Sequence, residues 1–296
     1  MTRTILDLVK ERVVLLDGGM GTELIRNGFP QGECPESWNV QKPDMVKKIH
    51  LSYYEAGSDV VLTNSFGGSK IKLASHGLED KCHELNYAAA QLVNEVKPEE
   101  KSVAGSMGPT GKFLKPHGKY TEEEFEEAYA VQAKALTEGG VDFLLIETQY
   151  DLKEALCALR GARKSSNLPV FVTMTFNRNP RGYFTIMGNS VAQCVEELEA
   201  QEVPAIGTNC TLNSADMVDL LKIMRDATPL LPLIAQANAG QPSLASDGKV
   251  TYSQELEDYV KYIPQMIKNG ANIIGGCCGT DPGYIKRMAE IIKQSL

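Results

Sequence analysis

Glu138-Gly-Gly-Val-Asp142-Phe-Leu-Leu-Ile-Glu147 joins the end of a predicted helix to the start of a predicted buried strand. Two glycines follow a segment of helical apolar spacing, where a left-handed residue ends a helix. An aspartate then introduces four apolar residues without alternation, the pattern of a parallel strand covered on both faces. The run stops on a carboxylate. The same joint recurs as Glu55-Ala-Gly-Ser-Asp59 and as Lys268-Asn-Gly-Ala-Asn272. Working outward, eight short runs predict strands: Val13–Leu16, Asp59–Thr63, Ser102–Ser106, Asp142–Glu147, Val170–Thr175, Ala205–Asn209, Leu233–Ala237 and Asn272–Gly276. Helical spacing fills the intervals at Pro43–Ala56, Cys82–Glu95, Thr121–Thr137, Leu152–Arg163, Val191–Gln201, Asn213–Arg225, Tyr252–Lys268 and Pro282–Ser295. Thr121-Glu-Glu-Glu124 is a capping box. Eight strand-then-helix units predict an α/β protein, a single (β/α)8 TIM barrel over residues 1–296. A doubly wound open sheet is the competing architecture.

Composition narrows the class. Hydrophobic residues make up 43% of the chain and charged residues 23%, as in an ordinary globular protein. The net charge of -8 argues against nucleic acid as a partner. No apolar run is long enough to span a membrane. The first dozen residues lack the apolar stretch of a signal peptide, so the expected setting is cytoplasmic and reducing. There the seven cysteines read as metal-binding or catalytic before they read as disulfides. Nothing in the sequence gives the oligomeric state.

A barrel gathers its strand C-termini at one mouth, where catalytic residues sit. Cys210 closes the sixth predicted strand and Cys277-Cys278 the eighth. Three thiolates with a fourth position left open are the pattern of a catalytic zinc site. Adjacent cysteines serve one ion only where a strand is ending, and Gly275, Gly276 and Gly279 flank the doublet. Three thiolates on one divalent ion disfavour making hydroxide and favour a nucleophilic sulfur. Buried apolar thiols, or a vicinal disulfide, are the other readings. Asp17, Asn64, Glu147 and Asn238 end other strands at the same mouth. Leu16-Asp-Gly-Gly-Met-Gly-Thr-Glu-Leu24 offers glycine amides to a small anion such as an amino-acid carboxylate, with Asp17 placed for an ammonium. Tight turn geometry alone also accounts for the glycines. Glu147 is a second contact for that ammonium, or one half of a structural ion pair. The long loop Gly105–Gly118 carries Lys112, Lys115 and His117, either for an anionic donor or partner or as a solvated loop. Cys82, Cys157 and Cys194 fall in helices and read as core. Cys34 has no evident partner, and Trp38 reads as packing.

Asp17-Gly-Gly-Met-Gly-Thr-Glu, Thr208-Asn-Cys210 and Gly275-Gly-Cys-Cys-Gly-Thr280 resemble the three signature blocks of the homocysteine S-methyltransferase family. The resemblance spans the whole chain. It implies a zinc-dependent (β/α)8 barrel that methylates the thiol of homocysteine to give methionine. It implies Cys210, Cys277 and Cys278 as zinc ligands, Asp17 and Glu147 as ammonium contacts, and the amides of Gly18, Gly19 and Met20 for the carboxylate. Asn238 aligns with a position near the zinc. Gly108-Pro-Thr-Gly-Lys-Phe-Leu114 and Leu145-Ile-Glu-Thr148 look most similar to the homocysteine module of cobalamin-dependent methionine synthase. No Asp-x-His-x-x-Gly cobalamin motif is present. The expected donor is therefore a methylated corrinoid on a separate protein. Betaine, S-methylmethionine or another methylated amine or thioether are alternative donors, as is demethylase action towards a corrinoid protein. Thr148 stands where betaine enzymes carry tyrosine.

Overall fold

A computed structural model describes residues 4–30, 32–244 and 250–294. Eight parallel strands form one sheet: β1 Val14–Leu15, β2 Val60–Leu62, β3 Ser102–Met107, β4 Phe143–Gln149, β5 Val170–Met174, β6 Ile206–Asn213, β7 Leu233–Asn238 and β8 Ala271–Gly276. Their spatial order is β1-β8-β7-β6-β5-β4-β3-β2, and helices surround them. This is the expected (β/α)8 barrel, not an open sheet.

The β1–β2 seam lacks a backbone ladder, and two aspartates bridge it. At the lower end Asp59 N–H donates to Leu15 O at 2.7 Å, and its carboxylate accepts Leu15 N–H at 3.0 Å. At the upper end Asp17 Oδ2 accepts Leu62 N–H at 2.8 Å. The recurring joint thus does two jobs. Gly57, Gly140 and Gly270 adopt φ of +111°, +93° and +95°, the left-handed ending that favours glycine. The following Asp or Asn then binds the next strand over: Asp142 accepts Val103 N–H at 2.7 Å and Asn272 accepts Leu233 N–H at 3.1 Å.

Below the mouth, side chains alternate between the two faces of the strands. Val14, Val60, Ala104, Phe143, Leu145, Phe171, Ala205, Ile234 and Ile273 fill the interior, and the helix Ile5–Glu11 packs Ile5, Leu8 and Val9 against them. The outward residues, such as Val61, Ile146, Val172 and Ile274, meet the helices. Above the apolar interior the inward positions turn polar: Ser106, Glu147, Thr173, Asn209 and Gln236, all buried.

Seven of the expected helices appear within two residues of their predicted ends, and Thr121 and Glu124 form the capping box. Ser295, the predicted end of the last helix, lies outside the described residues. The expected helix Tyr252–Lys268 is corrected. Tyr252 ends a hairpin strand, and two short helices, Leu256–Val260 and Ile263–Lys268, follow. Pro264 has no amide proton to give to an existing helix and sits in the first turn of a new one. The helix Met20–Arg26 and two hairpins, Asn177–Asn179 with Gly182–Phe184 and Pro242–Leu244 with Val250–Tyr252, were not expected. No helix among the described residues is long and apolar enough to cross a membrane.

Candidate metal and substrate site

Local backbone geometry delivers the three thiols. Between β6 and β7 the register passes from Asn209↔Gln236 to Asn213↔Asn238, so β6 holds two extra residues in a bulge. Cys210 and Thr211 in that bulge have φ of +64° and +55°. Such conformations cost of order 1–3 kcal/mol in a non-glycine residue. Thr211 is held there by donating to Phe176 O at 2.7 Å, and its own carbonyl accepts Gln241 Nε2 at 2.9 Å. The doublet lies just past the end of β8. Cys277 N–H donates to Ala237 O at 2.9 Å, and Cys278 N–H to Asn238 Oδ1 at 3.1 Å.

The sulfurs of Cys210, Cys277 and Cys278 all lie within 4.8 Å of one another. Zinc–sulfur bonds of about 2.3 Å place tetrahedral sulfurs about 3.8 Å apart, so these thiols can close on one metal ion with little movement. The thiols of Cys277 and Cys278 hydrogen-bond to the Cys210 sulfur and lower its pKa. The same interaction raises the other two. Asn238 Nδ2 stands 3.8 Å from Cys210 Sγ, so Asn238 links both cysteine-bearing strand ends. None of the seven cysteines forms a disulfide, which leaves the vicinal pair open. A second acidic cluster, Glu122, Glu126 and Cys157, is already neutralised by Arg160 and Lys164.

The thiols form one wall of a cavity of about 390 Å³ whose lining includes Asp17, Gly18, Gly19, Met20, Phe66, Glu147, Gln236 and Tyr252. Asp17 and Glu147 are only 2% and 7% exposed. Among the described residues neither is ion-paired. Burial pushes Asp17 well above its ordinary pKa and Glu147 up to about 7. The structure thus removes the ion-pair reading of Glu147. What holds it is a polar cage. Ser106 Oγ donates to Oε1 at 2.5 Å and Asn209 Nδ2 to Oε2 at 3.1 Å. Asn209 also donates to Thr148 Oγ1 at 2.7 Å, and accepts from Thr148 N–H at 2.8 Å and Thr173 Oγ1 at 2.9 Å. Thr148 itself has φ of +59°. One asparagine therefore ties the carboxylate to the strand that carries Cys210.

The glycine turn is partly explained by packing. A Cβ on Gly18 would lie 2.8 Å from Thr280 Oγ1, and one on Gly19 2.8 Å from Cys277 O. Gly19 N–H is donated to the carbonyl and hydroxyl of Thr280, each at 3.2 Å. This corrects the expectation that it is free for an anion; Gly18 and Met20 line the cavity. Asn64 also lines it, but its amide is spent on Pro35 O and Asn39 Oδ1. Lys112, Lys115 and His117 are exposed and form no part of the wall; Lys72 and His76 do. Cys82, Cys157 and Cys194 are buried as expected, and Trp38 packs against Phe29. Cys34 has a partner after all, donating to Glu36 Oε2 at 3.0 Å. Sequence reasoning missed Ser106, Asn209, Gln236, Tyr252 and Thr280. Only Asn209 and Thr280 carried a signal, through their place in the cysteine blocks.

A model of the homocysteine S-methyltransferase family matches residues 14–292. Methionine synthases of Mycobacterium leprae and Mycobacterium tuberculosis are 30% and 29% identical over 97% of this chain. The chain spans about a quarter of the length of these curated relatives, 25% in each case. The metallated crystal structure of the homocysteine methyltransferase MmuM from Escherichia coli superposes with a TM-score of 0.79 at 25% identity, covering 96% of this chain and 98% of that one. A methyltransferase from Methanosarcina mazei shares the fold at 11% identity, with a TM-score of 0.63 over 98% of this chain and 97% of that one.

Proposed function

Because this chain belongs to the homocysteine S-methyltransferase family, we propose that it transfers a methyl group to the thiol of homocysteine, giving methionine. One observation carries the reading: three converging thiols face two buried, unpaired carboxylates across one cavity. A ligand suited to both walls has a sulfur at one end and an ammonium at the other. Homocysteine has both.

Cys210, Cys277 and Cys278 are the residues to hold zinc. When bound, the ion supplies the positive charge that keeps the substrate sulfur deprotonated at neutral pH. Asp17 and Glu147 take the ammonium, which offsets the burial that raises their pKa values. The turn at Gly18 and Met20 receives the carboxylate. The acceptor is thereby held with its sulfur at the mouth, where orientation contributes to the rate. In the transfer the new S–CH3 bond forms from the sulfur's electron pair as the donor's bond to methyl breaks. The donor keeps that bonding pair, and the thiol proton has already gone to solvent.

For the donor we propose a methylated corrinoid, supported by the similarity of Gly108–Leu114 and Leu145–Thr148 to methionine synthase. The test is a donor panel on zinc-loaded protein with homocysteine: methylcobalamin free and protein-bound, betaine, and S-methylmethionine. Methionine formed from the corrinoid arm supports the proposal. Methionine from betaine or S-methylmethionine alone replaces the donor, and no methionine with any donor removes the reading.

A further inference from the structure

Gln236 stands out in the polar layer above the barrel core. In register it lies between Asn209 on β6 and Gly275 on β8. Around that layer Ser106, Glu147, Thr173 and Asn209 satisfy one another. Gln236 Oε1 has no partner, although the residue is only 3% exposed and lines the cavity. Its amide orientation is fixed by chemistry. Nε2 donates to Gly276 O at 3.3 Å, and turning the amide over would set two carbonyl oxygens against each other. The free oxygen is therefore a committed acceptor, and a buried acceptor left bare is costly enough to need an explanation.

The Gln236 side chain lies beside the Asp17 turn: a Cβ on Gly275, their common neighbour, would come 3.2 Å from Gln236 Cγ and 3.0 Å from Asp17 O, so the glutamine and the turn pack close together against β8. We propose that Gln236 Oε1 is a third acceptor for the substrate ammonium, and that it selects thiols bearing a free primary amine. The inference rests on the homocysteine reading above. A primary ammonium has three N–H groups, and Asp17, Glu147 and Gln236 supply one acceptor each. An N-acylated or desamino thiol leaves the glutamine oxygen bare, and a site built for hydrogen bonds rejects analogues that lack them.

The experiment is calorimetric titration of the zinc-loaded full chain with L-homocysteine and with its desamino analogue, 4-sulfanylbutanoate, for wild type, Gln236→Met and Gln236→Glu. Methionine keeps the length of the side chain and removes the acceptor; glutamate restores one. Gln236→Met is expected to weaken homocysteine by about 10- to 100-fold, the range for a hydrogen bond to a charged group. It should leave 4-sulfanylbutanoate unchanged, and Gln236→Glu should bind homocysteine more tightly than Gln236→Met. Equal losses for both thiols, no loss for homocysteine, or no recovery with glutamate would overturn the inference while wild-type homocysteine binding leaves the functional reading standing. Wild-type protein that fails to bind homocysteine overturns that reading, and this inference with it.

Discussion

Replacing Asn209 by alanine should loosen the site more than any other single change in the polar layer. Four hydrogen bonds of the Asn209 side chain would go, two of them to Thr148, one to Glu147 and one to Thr173. The hydroxyls can turn to other partners. The Thr148 N–H and the buried Glu147 oxygen cannot, and each stranded group costs about 1–3 kcal/mol. Thr148 would be free to leave its left-handed conformation, which returns about 1–2 kcal/mol. At the middle of these ranges the net loss is about 2.5 kcal/mol, a fall in Tm of about 4 °C for a chain of this size. Denaturant unfolding of metal-loaded wild type and Asn209→Ala, compared at equal slopes, gives the number. A loss below about 1 kcal/mol would show that Glu147 and Thr148 hold their places without Asn209, and the proposed tie between ammonium site and metal site would fail.

Asp17→Asn should separate two roles: its side-chain oxygen still accepts Leu62 N–H and preserves the β1–β2 seam, while homocysteine affinity falls. Unfolding midpoint and calorimetric affinity measured together decide this, and an intact affinity would contradict the ammonium assignment. Glu147, pushed up to about 7, binds its proton more tightly folded than unfolded, so its contribution to the stability of the substrate-free protein is full below its unfolded value and lost as pH rises through 7. Glu147→Gln should therefore show a shallower fall in urea midpoint between pH 5 and 7.5 than wild type, and equal slopes would count against a buried, unpaired carboxylate. Gly275→Ala places a methyl 2.7 Å from Leu16 Cβ and should cost about 1–3 kcal/mol by overpacking; an unchanged urea midpoint would show that the Asp17 turn and β8 are not packed that closely.

The barrel could be read before it was seen because its joints are local. A left-handed glycine and the Asp or Asn two residues later act within one turn, so Gly57-Ser-Asp59 and Gly140-Val-Asp142 announce a helix end and a strand start together. The convergence of Cys210 with Cys277 and Cys278 followed from the barrel itself. What escaped depended on register across strands. The bulge at Cys210 is held by Phe176 and Gln241, both distant in sequence, and nothing near Thr211 signals it. Gln236 reads as one more residue in a buried strand until its neighbours on β6 and β8 are known. Asp17 was legible as a polar strand end but not as a seam closure, since its partner Leu62 is fixed only by the fold. The helix Tyr252–Lys268 failed for a reason present in the sequence, Pro264, whose missing amide proton outweighs apolar spacing.

With zinc bound, Cys210, Cys277 and Cys278 should leave one position for a fourth sulfur, and X-ray absorption at the zinc edge counts the sulfurs. Zinc-loaded wild type should show three sulfur scatterers at about 2.3 Å, rising to four when homocysteine is added, while Cys210→Ala should fail to retain stoichiometric zinc. A sulfur count that stays the same on adding homocysteine, or a full zinc complement in Cys210→Ala, would contradict the account.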